Sequence, residues 1–462
     1  MAVDGGAGRS STLCPHRASC PTPSFRSRAK DAGGNPDPQF LAVSCHCCSL
    51  HFYAGRFALR RLGCMPRILC FLHSFEPGGV ERTALRLCGA WWKAGADVAI
   101  VLGRNDGPLH IEAPDCAFLV PPPPRFSTAS FETLWMIAKL PGMIRRWRPD
   151  VIFCPGNSYT VVAVAMKLLL GRGCPPIVAK ISNDLIRRDL PLPVRLVYRC
   201  WCRVQARFLD HLAALSPAMR EEIIDVMRIA PTSVSVMINP VLDDRRRATL
   251  AEAGALSRRT RRSGGRRFLA VGRLTSQKDF TLLIRAFEQG AGARDRLIIV
   301  GEGPQRRQLA RLIEKLALGE RVRLAGHSSR IEHWMARSDI LLLSSRYEGL
   351  PGVVIEALAA GLGIVATDCC VSIAGLLGHG RFGRLVPPHA LGALADAIAD
   401  ARPGQADVAA SANVARAFDA EVAAKDYLAL FSRMMKMPTV TPTLHDRHMI
   451  GPQGRPPIGA PH

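Results

Sequence analysis

A chain of 462 residues that is 48% apolar is long enough to bury two cores of ordinary size, which excludes a wholly disordered protein and a disulfide-stapled miniature. Lys and Arg outnumber Asp and Glu by 61 to 38, a formal charge of +23, so the surface attracts polyanions. Anionic membrane headgroups and nucleic acid both fit that charge, and against nucleic acid stands the lack of aromatics interleaved with the arginine clusters to stack bases.

Residues 1–64 hold six of the fifteen cysteines, with many Arg, Ser and Pro, but show no amphipathic period and no apolar signal-peptide core. Cys14, His16, Cys20, Cys45, His46, Cys47 and Cys48 fit no standard zinc-finger spacing. The expectation is an extension without a domain fold, translation starting at Met65. The other cysteines lie scattered without a disulfide framework, which suits a reducing cytoplasm.

From Met65 onward strands and helices alternate. Arg67–Leu72 reads as the first strand, 80–92 as a helix, and 98–102, Val151–Cys154, 177–181 and 212–215 as further strands. This alternation predicts a doubly wound α/β domain over 65–240. Asn239-Pro240 reads as its hinge side. The longest apolar stretches, such as 159–170 with Lys167 inside, fall short of a membrane span. His73 and His211, each at a strand end with no acid evident beside it, read as structural. Arg245–Arg247 and a second arginine cluster at 258–267 read as a solvated basic linker over 241–266. A second α/β domain is expected over 267–400, a helical segment over 401–436, and a disordered tail, rich in Pro and Gly, over 437–462.

The segment from Ser344 to Gly361 is the most informative. It follows Ile340–Leu343, an apolar run of the kind buried on both faces of a parallel sheet. Gly349 and Gly352 let backbone approach a ligand, Pro351 suits a first helical position, and 353–360 continues as helix until Gly361 ends it. A helix N-terminus at the carboxyl end of a strand is an anion site, and phosphate is its natural occupant. Glu348 and Glu356 would repel phosphate at contact distance, so they are expected to take hydroxyls beside it. Glu356, in a helix otherwise of Val, Ile, Leu and Ala, is expected to be buried and to hold a ribose; Glu348, before the helix, a sugar joined to the diphosphate. The inferred ligand is a nucleotide sugar, bound as a substrate rather than a cofactor.

A second turn of this kind follows the strand 268–271. Gly272 opens it, Arg273 and Lys278 flank it, and 281–287 has helical spacing. Arg grips phosphate with a planar fork and Lys with a point charge, so the two together would offset a departing diphosphate. Gly78 and Gly79 put small residues where the first strand meets its helix. No Asp-x-Asp occurs, so transfer without a metal ion is expected.

These segments have a family likeness. Residues 344–361 resemble the Glu-x7-Glu signature of the retaining glycosyltransferases of family 4. Residues 268–280 resemble that family's diphosphate-binding turn, and Val300-Gly301-Glu302-Gly303-Pro304 its next strand end. The resemblance runs in order from 65 to about 435. It implies the GT-B fold, two facing Rossmann-like parallel-sheet domains with a cleft between them, the donor in the C-terminal domain and the acceptor mainly in the N-terminal one. Arg273 and Lys278 would hold the diphosphate, Glu356 the ribose, Glu348 the donor sugar, and backbone at Gly349 and Leu350 the phosphate oxygens. The loop of Gly78 and Gly79 would face those phosphates across the cleft, and 401–436 would pack back across the N-terminal domain.

One departure concerns the acceptor. Many members resemble one another in a histidine after the strand that here ends at Cys154, where this chain has Pro155-Gly156-Asn157-Ser158. Asn157 can donate hydrogen bonds to sugar hydroxyls but is no base at neutral pH. The resemblance implies hexosyl transfer from a UDP- or GDP-sugar to a glycan or lipid-linked acceptor, in the cytoplasm or peripherally on the inner face of the membrane. Two readings of the same fold stay open: a nucleotide-sugar epimerase, and a silent nucleotide-binding scaffold.

Overall fold

The computed structural model describes residues 65–76, 78–122, 128, 130–187, 191–261, 264–403 and 407–436. The expectations for 1–64 and 437–462 lie outside the described residues. Two sheets carry the chain. The first contains β1 (Arg67–Leu72), β2 (Asp97–Leu102), β3 (Ala117–Leu119), β4 (Val151–Cys154), β5 (Ile177–Lys180), β6 (His211–Ala214) and β7 (Val234–Val236), in the order β3-β2-β1-β4-β5-β6-β7. The second contains β8 (Arg267–Val271), β9 (Arg296–Val300), β10 (Val322–Gly326), β11 (Ile340–Leu343), β12 (Gly363–Thr367) and β13 (Arg384–Val386), in the order β10-β9-β8-β11-β12-β13.

Every pairing between these strands is parallel, with Ile68 opposite both Val98 and Val151 in the first sheet and Ile340 opposite Phe268 and Gly363 in the second. Parallel sheets take helices on both faces, which is why 68–72, Val151–Cys154 and Ile340–Leu343 are apolar throughout and buried throughout. Strand order reverses between β1 and β4 and again between β8 and β11. In open α/β sheets a crevice opens at such points, outside the carboxyl ends of the strands.

The stretch expected as a solvated linker is mostly structure. Asp244–Arg259 is a helix, capped at its start by the Asp243 side chain, which accepts from Arg246 N. It lies so close to the helix Gly352–Ala360 that a Cβ on Gly254 would stand 1.7 Å from the Ala360 carbonyl oxygen. Most of the described arginines have partners. Arg261 and Arg267 both reach the buried Asp339, at 3.1 and 2.7 Å, and Arg266 reaches Asp295 at 2.5 Å while donating to the carbonyls of Ile398, Ala399 and Ala401. The spacing of charges suggested a solvated run because their partners lie far along the sequence.

The chain returns to the first domain at its end. Val241 and Leu242 N–H groups both donate to Phe418 O, and Leu242 bridges Asp419, so outgoing and returning segments are pinned together. The final helix, Ala420–Lys436, then inserts Tyr427 and Phe431 beside Trp91 and Phe153, with ring centroids 5.1–5.8 Å apart across the group.

Candidate active site

The reversal point of the second sheet collects most of the residues singled out by sequence. After β8 the backbone turns at Gly272, across which the Lys278 stem is laid; a Cβ on Gly272 would come within 3.0 Å of Lys278 Cε. Gly301 supports the turn from below with φ +149°, and a Cβ there would stand 1.8 Å from Gly272 O, so only glycine fits. Arg273 is exposed and pairs with no carboxylate among the described residues. In the same turn the Thr275 hydroxyl is buried with no partner among the described residues. Asp279 closes the turn in a left-handed conformation, φ 46°, capping the helix Phe280–Gly290 and accepting from Arg346 Nε at 2.8 Å.

The turn after β11 is knitted to the first. Gln277 Nε2 donates to Tyr347 O at 3.0 Å, Arg346 N to Gln277 O at 2.8 Å, and Ser344 Oγ to Lys278 O at 2.8 Å. Glu348 is thereby fixed. Its Oε1 accepts from Lys278 Nζ at 2.5 Å and from Ser345 Oγ at 2.7 Å, and both members of the ion pair are largely shielded from water.

The helix that follows starts at Gly352, with Pro351 in the capping position rather than the first helical one, and ends at Gly361 in the left-handed conformation. The first N–H groups of a helix lack the usual acceptor four residues back, and this helix begins at the carboxyl end of β11, where open α/β sheets form their crevice. Glu356, 15% exposed at its side chain, has a partner that sequence reasoning passed over. Arg246 Nη2 donates to its Oε1 at 2.8 Å and Nη1 to Glu332 Oε2 at 3.0 Å. The carboxylate of Glu356 is thus charge-balanced by Arg246.

At the reversal point of the first sheet, Gly78 precedes the helix Gly79–Lys93, and the Glu81 carboxylate folds back over it so closely that a Cβ on Gly78 would stand 1.9 Å from Glu81 Oε2. A Cβ on Gly79 would meet nothing within 4 Å. Glu81 Oε1 accepts from the Tyr159 hydroxyl at 2.8 Å, and the Tyr159 ring stacks on His73 with centroids 4.5 Å apart. Lys180, only 2% exposed at the end of β5, donates to Asn239 Oδ1 at 3.2 Å. Burial pushes the Lys180 ammonium down to about 8, against the pull of the Glu81 carboxylate. His73 is not without an acid, as its sequence neighbourhood suggested: Glu132 Oε2 stands 3.9 Å from its Nδ1, and burial nonetheless lowers its pKa. His211 donates to or accepts from Ser235 Oγ at 2.9 Å, and burial pushes it down to about 4.

Asn157 has both ends of its carboxamide engaged. Oδ1 accepts from Ser182 N at 2.6 Å and Nδ2 donates to Tyr198 OH at 3.5 Å, so it shapes the loop after β5. That loop meets the segment after β11. A Cβ on Gly349 would stand 1.6 Å from Ser182 O, Val371 N donates to Asp184 Oδ2 at 3.0 Å, and the Ser216 and Ser372 hydroxyls are 2.8 Å apart. Leu350 packs into the cores of both domains.

Residues 77–245 match the family model described as Glycosyltransferase Family 4, and residues 265–401 the one described as Glycosyl transferases group 1. The chain belongs to the family 4 glycosyltransferases.

Among relatives of this family 4 chain, the amylovoran biosynthesis glycosyltransferase AmsD of Erwinia amylovora is 39% identical over 103 residues, 22% of this chain and 29% of the relative. The matched part thus spans under a third of that curated relative. The N-acetylgalactosamine-N,N'-diacetylbacillosaminyl-diphospho-undecaprenol 4-alpha-N-acetylgalactosaminyltransferase of Campylobacter jejuni is 28% identical over 338 residues, 70% of this chain and 86% of the relative. Among solved structures, Anabaena HepE in complex with UDP and glucose superposes with a TM-score of 0.64 at 20% identity, over 79% of this chain and 99% of HepE. Sucrose-phosphate synthase from Thermosynechococcus elongatus gives 0.65 at 19% identity, over 80% and 99%. The fold is GT-B.

In this family 4 chain the structure puts Arg273, Lys278, Glu348, Gly349, Leu350 and Glu356 in the segments that follow the adjacent strands β8 and β11, and Gly78, Gly79 and Asn157 in those that follow β1 and β4 of the other sheet. Glu81, Tyr159 and Lys180 went unnoticed in the sequence, and Arg246 was read only as linker charge. Lys180 carried a signal, a cation closing an otherwise apolar strand; the others carried none that spacing could show.

Proposed function

We propose that the protein transfers a hexosyl group from a UDP- or GDP-sugar to a glycan or lipid-linked acceptor in polysaccharide or glycolipid synthesis, with retention at the anomeric carbon and without a metal ion. The observation that carries this reading is the meeting, at one reversal point, of an exposed arginine, a shielded lysine–glutamate pair and a helix N-terminus. The bond between anomeric carbon and diphosphate breaks, its electron pair leaving with the diphosphate. Arg273, Lys278 and the helix N-terminus offset that charge. The acceptor oxygen bonds to the anomeric carbon from the same face, and its proton passes to the departing phosphate oxygen. Such a transfer needs no histidine at the position of Asn157. Glu348 takes a hydroxyl of the donor sugar, and Glu356, balanced by Arg246, takes the ribose. Gly349, Leu350 and the loop of Gly78 and Gly79 offer backbone to the phosphates.

HepE, holding UDP and glucose, supports a uridine donor, and the Campylobacter relative, named for a diphospho-undecaprenol, supports a lipid-linked acceptor. Among the described residues no helix is long and apolar enough to cross a membrane, so such an acceptor would be met at the membrane face, which we place on the cytoplasmic side. The test is nucleoside diphosphate release from UDP-, GDP- and ADP-sugars with chelator present, with Glu348→Gln as control. Release from one donor, lost in the variant, is expected. Epimerisation of a donor with no diphosphate released, or tight nucleotide binding with no turnover in the presence of candidate acceptors, would overturn transfer.

A further inference from the structure

The helix Leu192–Phe208, between β5 and β6, has an unusual outer face. Its inner side is set by Cys202 and Gln205, both buried. Outward, Arg199, Arg203 and Arg207 recur every four residues, all exposed and without an ion pair among the described residues. Like charges four apart on a helix weaken it. No acidic residue occurs anywhere in the helix to relieve them. Beside this row runs an aliphatic one: Leu192, Leu196, Val197 and Val204 are 69%, 59%, 70% and 40% exposed. Leu168 and Leu169, at the end of the helix Thr160–Leu170 packed alongside, are exposed as well.

Both rows are unfavourable in water. A partner that satisfies them must be anionic at its surface and apolar just beneath, along a helix of about 25 Å. Nucleic acid offers no use for leucine and valine. A second copy related by a two-fold axis would bring arginine row against arginine row. We propose that the Leu192–Phe208 helix lies in the headgroup layer of an anionic membrane, arginines on lipid phosphates and the aliphatic row at the acyl boundary. The placement is apt for an acceptor drawn from that membrane. The helix starts on the crevice side of the sheet, and its Tyr198 is the hydroxyl that holds Asn157. The inference adds a surface to the transferase reading without depending on turnover, so the two can fail separately.

The experiment is cosedimentation of the full chain with vesicles of phosphatidylcholine alone and mixed with phosphatidylglycerol. Binding is expected only to the mixed vesicles. The triple variant Arg199→Gln, Arg203→Gln, Arg207→Gln should bind roughly a hundredfold more weakly, taking about 1 kcal/mol per arginine at an anionic surface. Leu196→Ser, Val197→Ser, Val204→Ser should also lose binding. An equal charge loss elsewhere, Arg307→Gln, Arg311→Gln, Lys315→Gln, should leave it within about twofold, since adsorption is local to the surface that touches the headgroups. All these side chains lie on the surface, and circular dichroism checks that each variant is folded. Vesicle binding unchanged in the first two variants, or lost as much in the third, would overturn the proposal. So would a dimer in solution that the first two variants split while vesicle binding persists.

Discussion

Arg273 and Lys278 belong to one turn, yet the fold gives them different situations. Arg273 stands exposed and pairs with no carboxylate among the described residues, so in the proposed mechanism removing it takes away a contact to the diphosphate and little else. Arg273→Ala should lower turnover by on the order of 10² to 10³, the usual loss of one charge contact to a transition state, with the thermal midpoint unchanged. Lys278 is the partner of Glu348, so Lys278→Ala leaves a shielded carboxylate without its cation and should lower both turnover and thermal stability. Steady-state kinetics and thermal unfolding on the two variants separate the roles. Near-normal turnover in Arg273→Ala would remove that residue from the mechanism.

At the scale of elements, the final helix shows how a late segment completes an early core. Tyr427 fills a site between Trp91, Phe153 and Phe431, but its hydroxyl is buried with no partner among the described residues. The ring is therefore stabilising and its oxygen is not. Tyr427→Phe should raise stability by about 1 kcal/mol, since an unsatisfied buried hydroxyl costs roughly 1–3. Tyr427→Ala should lower it by about 3–5 kcal/mol through the cavity left behind. Denaturant midpoints decide, and a Phe variant less stable than the parent would mean that the hydroxyl has found a partner. What the sequence revealed and what it concealed divides along the same line of locality. β1, β4 and β11 are unbroken apolar runs closed by turn residues, and could be read as they stand. β3 and β7 are three-residue edge strands in which only Val234 is buried, too short to show a period. Arg273, Lys278, Glu348 and Glu356 were legible because each sits in a strand, turn and helix contiguous in sequence. Arg246 was taken for linker charge because its partner Glu356 lies 110 positions on. Glu81 and Tyr159, 78 positions apart, belong together only once β1 and β4 are neighbours.

For the whole molecule, stability rises with pH at both ends of the scale, for different reasons. Burial alone would raise the Asp295 and Asp339 carboxyls, but hydrogen bonds from Arg266 to the one, and from Arg267 and Arg261 to the other, hold both below the ordinary range. The stability they contribute is present above the unfolded carboxylate value and is lost as pH falls through their lowered folded values. Acid also strips negative charge from a chain already at +23, and self-repulsion grows. The alkaline side is set by Lys180. In the unfolded chain its ammonium titrates near 10.4. In the folded one burial pushes it down to about 8. Between those values the unfolded state binds more protons than the folded state, so stability rises with pH across that window. Below it the buried charge costs on the order of 3 kcal/mol. Lys180→Met removes the titrating group, so the difference in unfolding free energy between parent and variant should change by that order from pH 7.5 to 10. Denaturant titrations at matched ionic strength measure it. A difference independent of pH would mean that the Glu81 carboxylate and Asn239 hold the Lys180 ammonium as firmly as water does.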